Sequence, residues 1–159
     1  MKHFNTTFFT LLLCLGLFQA QAQEGRYLEE VFDEVSVTPN VVYGVNTTIL
    51  FLAQLGEAVP QQLIMDVYQP ASDTVTERPV VIYFHTGNFL PIQVNGSPSG
   101  TLRDSSVVEI CTRLAKMGYV AISADYRLGW NPLAETQPER ALGLIQAAYR
   151  GVQDARTAI

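Results

Sequence analysis

Two short runs put polar residues and glycines directly after apolar strands, where they can take part in chemistry on a carbonyl. Pro79-Val80-Val81-Ile82-Tyr83-Phe84 leads into His85-Thr86-Gly87-Asn88-Phe89, and Tyr119 through Asp125 leads into Tyr126-Arg127-Leu128-Gly129. The carboxyl ends of parallel strands are where open α/β sheets bind ligands. Gly87 lets the backbone approach a substrate with no Cβ in the way. Asn88 is one of the few other residues that tolerate a left-handed conformation. Together they can aim two main-chain N–H groups at a developing oxyanion. One such donor is worth about 3 to 4 kcal/mol of transition-state stabilisation.

The elements that position these residues are legible from periodicity. Val80 to Phe84 is continuously apolar, which predicts a strand buried on both faces. Leu63 to Tyr68 predicts another strand, ended by Pro70, and Ser72 to Arg78 a polar surface turn. Val35 to Leu52 alternates loosely, and Pro39-Asn40 and Gly44 act as turn signals, which predicts an antiparallel hairpin within that span. Gln23 to Glu34 is acidic and weakly patterned, and reads as a mobile or edge segment.

After the loop from Leu90 to Leu102, Asp104 or Ser105 can cap a helix, and Ser106 with Glu109 has capping-box spacing. Val107, Ile110, Cys111 and Leu114 give that helix one apolar stripe, and Gly118 closes it. Thr136, Pro138 and Glu139 open a second helix. Ala141, Leu144, Ile145, Ala148, Val152, Ala155 and Ile159 form its predicted inner face. Strand, helix, strand, helix in this order predicts βαβ units and a parallel sheet.

Residues 1–22 read as a signal peptide: Lys2 and His3, an apolar run from Phe8 to Phe18, then Ala20-Gln21-Ala22, with cleavage before Gln23. The run is too short for a bilayer span, which needs about 20 residues. Cys14 sits inside the run after Leu13, where a lipoprotein signal has a small residue. The chain is therefore expected to be secreted or periplasmic. Without the leader, nine basic side chains face fifteen acidic ones, a net charge of −6. That balance argues against nucleic-acid binding. Cys111 is then the sole cysteine, so no internal disulfide is expected. No Cys/His cluster supports a metal site, and no cofactor is implied.

The two loop runs resemble an α/β-hydrolase of the carboxylesterase/lipase type. In that family the loop after the third strand carries a His-Gly-Gly-Gly type sequence whose amides form half of the oxyanion hole. His85 to Phe89 is similar to that pattern, with Thr86 and Asn88 replacing two glycines. A β-branched residue such as Thr86 resists positive φ, so a left-handed backbone there would need a loop of another shape. Gly118-Tyr119-Val120 and Asp125-Tyr126-Arg127-Leu128 look like the family's GYVV…DYRL segment, and Leu63 to Pro70 like its LDVYxP strand. The likeness runs from Leu63 to Ile159, with residues 23–62 as an N-terminal extension and edge strands. It implies the N-terminal part of a mixed, mostly parallel sheet flanked by helices.

It also implies roles. Gly87 and Asn88 would supply oxyanion N–H groups. His85 would set the loop rather than act as a base, and Asp125 would fix the turn with Arg127. Trp130 either lines a pocket or covers the sheet. Gly96-Ser97-Pro98-Ser99-Gly100 is no nucleophile elbow, because Pro98 is central and no strand precedes it. Asn46 and Asn95 head glycosylation sequons. The family order of serine, then acid, then histidine has not begun by Ile159. The chain is thus expected to be catalytically silent alone, and poorly soluble because of an unpaired strand edge. The implied function is hydrolysis of a small-molecule or polymer carboxylic ester. The alternatives are a secreted serine peptidase of the same fold and a non-catalytic binding or adhesion protein. A dinucleotide binder is disfavoured, since no Gly-x-Gly-x-x-Gly follows a strand.

Overall fold

A computed structural model of the protein describes residues 25–159. The expected leader and its cleavage position lie outside the described residues. Strand β1 (Val35–Thr48) and β2 (Val59–Pro70) form a long hairpin whose connection carries a short helix, α1 (Leu52–Leu55). Then β3 (Val80–Phe84), α2 (Ser105–Lys116) and β4 (Val120–Ala124) make one βαβ unit, followed by α3 (Gln137–Thr157). The sheet order is β1-β2-β4-β3. β2 runs antiparallel to both β1 and β4, and β3 pairs parallel with β4. The sheet is therefore mixed rather than mostly parallel.

The hairpin differs from its expected form. Pro39-Asn40 and Gly44 do not turn the chain; both sit at register shifts within β1, as bulges. Asn40 has φ +59°, and its N–H donates to Asp66 on β2 at 2.9 Å. Arg103 reaches the same carboxylate at 2.8 Å and the Asn40 side chain at 2.7 Å. One buried carboxylate thus staples the bulge to the loop before α2. β2 is correspondingly longer than the predicted strand and passes through position 62 unbroken.

The core lies between α2 and one sheet face, where Val107, Cys111 and Ala115 meet Tyr68 and Ala121. Ile110 stands off this face at 38% exposure, so the stripe runs at i, i+4, i+8. The capping box at Ser106 and Glu109 does not form. Asp104 is the N-cap, but its carboxylate turns back to the Gly100 N–H at 2.6 Å and the Thr101 hydroxyl at 2.8 Å. Gly118 follows the helix at φ +101°, as its place predicts. The described residues ahead of β1, 25–34, form no strand and dock against the end of α2. Tyr27 donates its N–H to Met117 O at 2.8 Å, Val31 and Phe32 donate theirs to Lys116 O, and Arg26 pairs with Asp73.

Two apolar expectations are corrected. β3 is an edge strand, with Val80 56% exposed, and is not buried on both faces. The capping box of Thr136 and Glu139 is present on α3, yet the predicted inner face points outward. Ile145 is 66% and Val152 58% exposed, while Ala147 and Asp154 are fully buried. The inner face is the small one, Gly143, Ala147, Gly151 and Asp154, because Asp154 answers a buried arginine.

Candidate oxyanion turn and its brace

At the end of β3 the backbone takes three consecutive positive-φ residues: Gly87 at +124°, Asn88 at +55° and Phe89 at +59°. Thr86 stays outside that region, so its branched Cβ meets no backbone penalty. The left-handed geometry falls one residue later, on a glycine and an asparagine that accept it. Among the described residues, no acceptor takes the N–H of Gly87, Asn88 or Phe89. The turn is held instead through carbonyls. Gly87 O accepts from Leu90 N, and Phe89 O accepts from Gly129 N at 2.9 Å and Trp130 N at 3.2 Å. Successive amides left free in such a turn form a concavity suited to an anion.

His85 braces the turn from beneath. Its Nδ1 faces Thr86 O at 2.6 Å, and its Nε2 faces the Asp125 carboxylate at 3.1 Å. Both partners are acceptors, so the doubly protonated ring satisfies both contacts. Burial lowers the His85 pKa, but the bonds to Asp125 and Thr86 outweigh it and raise the pKa above the usual histidine value. With both ring nitrogens engaged, and no serine hydroxyl bonded to it among the described residues, His85 is not set up as a general base.

Tyr126 stacks on the His85 ring at 4.6 Å, and its hydroxyl donates to His85 O at 2.9 Å. Its ring edge meets Phe89 at 5.7 Å. Burial pushes its phenol pKa up to about 12, so it stays a donor. Asp125 also accepts from its neighbour's N–H, Tyr126 N, at 2.8 Å, and Tyr43 on β1 donates to the Asp125 carbonyl.

Asp125 and Arg127 are not partners. Arg127 pairs with Asp154 on α3: its Nη2 lies 2.8 Å from Oδ1, and its main-chain N–H donates to Oδ2 at 2.9 Å. Asn46 donates to the same carboxylate at 2.7 Å, and Arg127 Nη1 donates to Thr47 O at 2.9 Å. This network joins β1, the loop after β4 and α3, and it engages the amide of the Asn46 sequon. Tyr126, Phe89 and Asp154 were not singled out from sequence. The usable signals were an arginine in an apolar post-strand loop, which needs a counter-charge, and the 147, 151, 154 spacing of small residues and an acid on α3.

Two hollows flank the turn. One, about 330 Å³, is lined by His85, Phe89, Tyr126 and the α3 residues Ala148, Gly151 and Val152. The other, about 750 Å³, includes Trp130 in its wall, so that side chain lines a hollow, with Nε1 bonded to Arg140 O at 3.0 Å. Ser97 and Ser99 bond each other in an exposed loop away from both. Cys111 is buried and its thiol is pushed up to about 11, which makes it a packing residue. The described residues contain no group of three or more metal-ligating side chains, and no helix long and apolar enough to cross a membrane.

No protein-family model matches the chain, and no curated protein matches it. Among solved structures the chain is similar to esterase B from Lactobacillus rhamnosis, crystallised with a tributyrin phosphonate inhibitor. The identity is 20% and the TM-score 0.37, over 97% of this chain and 41% of that one. The chain therefore spans about two fifths of that structure's length, and the likeness is too loose to transfer any residue's role.

Proposed function

We propose that this chain supplies the oxyanion-binding part of an exported carboxylic-ester hydrolase. The observation that carries the reading is the Gly87-Asn88-Phe89 turn, with left-handed backbone, unclaimed N–H groups and a buried brace beneath it. In the reaction, the ester carbonyl oxygen gains negative charge as the carbon becomes tetrahedral. Main-chain N–H groups of Gly87 and Asn88 meet that charge without reorganising, because His85, Asp125 and Tyr126 hold the loop. The left-handed stretch follows the third strand, where the hydrolase resemblance expects the oxyanion loop. The attacking serine and its base and acid come, on this reading, from elements that add to the free edge of β3. A serine peptidase of the same fold is the runner-up, since an oxyanion turn alone does not separate esters from amides.

The test is a titration of the ¹⁵N-labelled chain with the monomethyl ester of butylphosphonic acid, a stable anion shaped like the tetrahedral state. The Gly87 and Asn88 amide protons should shift together and saturably. If they stay still while other surface amides move, the oxyanion assignment is wrong. In parallel, 4-nitrophenyl butyrate should turn over no faster than in buffer. Phosphonate-sensitive turnover would overturn the placement of the nucleophile outside the described residues.

A further inference from the structure

We propose that Asn95 deamidates spontaneously, and that its conversion releases the loop packed against the Gly87-Asn88-Phe89 turn. This does not rest on the hydrolase reading, since it concerns the shape of the turn, whatever the turn binds. An asparagine side chain closes on the main-chain nitrogen of the next residue, and a Cβ on that residue obstructs the approach. Of the asparagines in the described residues, only Asn95 precedes a glycine. Asn40, Asn46 and Asn88 precede Val41, Thr47 and Phe89, and Asn131 precedes Pro132, which has no N–H to lose.

The local geometry leaves the reaction open. Gly96 is exposed, at φ +70°, and nothing lies within 4 Å of the place a Cβ would take. Among the described residues its N–H has no acceptor. Asn95 Oδ1 accepts from the Ser97 N–H at 2.8 Å, so a donor already stands at the oxygen that gains charge. The step is hydrolytic and needs only water. The Gly96 nitrogen bonds to Asn95 Cγ and gives up its proton, and the Cγ–Nδ2 bond breaks to release ammonia. Water then opens the cyclic imide at either carbonyl, leaving aspartate or isoaspartate at position 95.

Nδ2 is also the group that holds the loop. It donates to Ser99 O at 2.7 Å, packs on Gly100, and lies 3.3 Å from the place of a Cβ on Gly87. After the exchange Ser99 O faces a carboxylate oxygen instead of a donor, an unfavourable meeting of two acceptors. Asp104, which accepts from the Gly100 N–H at 2.6 Å, adds a like charge to the same loop. In the isoaspartate product the main chain also runs through Cγ and is one carbon longer. Gly100 then leaves its place against Gly87.

The test follows the ¹⁵N-labelled full chain held at mildly alkaline pH. The Asn95 side-chain amide signals should fade before those of the other described asparagines. Peptide mass spectrometry should place the exchange of NH2 for OH at position 95. The Gly87 and Asn88 main-chain signals should move in step with that loss, and Asn95→Asp should move the same two from the start. Gly96→Ala should slow the fading about tenfold, which is about 1.4 kcal/mol at the barrier. The site is overturned by Asn95 signals that outlast those of Asn46 or Asn88, by loss confined to the chain unfolded in urea, or by an unchanged rate in Gly96→Ala. Loss at Asn95 with Gly87 and Asn88 unmoved overturns the release of the turn.

Discussion

Replacing Gly87 by alanine tests whether the turn is held by backbone that only glycine accepts and by close approach of a second loop. The residue sits at φ +124°, where side chains are strained by about 1 to 3 kcal/mol. An added Cβ would also lie 3.0 Å from the Gly100 Cα and 3.3 Å from the Asn95 side-chain nitrogen. The first contact is backbone and cannot rotate away, so the loops must part, at about 1 to 3 kcal/mol as for other overpacked sites. The two effects together predict a loss of about 2 to 6 kcal/mol, against a total stability of about 5 to 15 kcal/mol for a typical domain. Gly96→Ala is the control: φ is +70°, and nothing lies within 4 Å of its added Cβ. It carries only the left-handed penalty of about 1 to 2 kcal/mol. Both variants gain similar unfolded-state entropy, so their difference reports the contacts with Gly100 and Asn95 together with the extra strain at φ +124°. Urea denaturation of the three proteins measures it. Gly87→Ala should also lose the phosphonate response at Asn88, which Gly96→Ala should keep. Equal stability of the two variants would refute both the contact and the claim that it shapes the turn.

Asp154→Asn should destabilise the chain by about 3 to 5 kcal/mol, because it leaves the buried Arg127 guanidinium without a counter-charge. The Arg127→Met, Asp154→Leu double variant should recover part of that loss; a double variant worse than the sum of its singles would dismiss the network as described. His85 makes the pH prediction. Its folded pKa is raised, so its pairing with Asp125 contributes fully below the unfolded value of about 6.5 and is lost as pH rises through the folded one. The urea midpoint of the native chain should therefore fall across that window relative to His85→Gln, and a parallel pair of pH profiles would show that the ring carries no such charge.

What was legible in the sequence was set locally. Val107, Cys111 and Gly118 shape α2 from within a dozen positions, and Thr136, Pro138 and Glu139 start α3 as their spacing requires. The oxyanion turn was half legible: Gly87 and Asn88 announced left-handed backbone, whereas Phe89 at φ +59° did not, since bulky residues rarely accept it. Distant partners hid the rest. Pro39-Asn40 carries every local sign of a turn, and only Asp66 and Arg103, far along the chain, make it a bulge. The partner of Arg127 was illegible for the same reason, being 27 residues away on a helix with a more conspicuous apolar stripe.

The orientation of α3 follows from which of its two faces is worse to leave unmatched. Turning the helix to bury Ile145 and Val152 would gain about 1.5 to 3 kcal/mol for each side chain. It would also withdraw Asp154 and strand Arg127, at about 3 to 5 kcal/mol, and lift Gly151 from its contact beside Phe89 and Tyr126. The two terms are of similar size, about 3 to 6 kcal/mol for the two side chains against about 3 to 5 for the arginine, so the packing of Gly151 adds weight to the side observed: the small face is inside and the apolar stripe outside. That stripe adjoins the edge of β3, which has no partner strand on its outer side among the described residues: Val80, Ile82 and Phe84 share a hollow of about 490 Å³ with Ala155, Ala158 and Ile159. A strand added parallel to β3 would pair its unmet backbone groups, and its alternate side chains would enter the hollow against α3.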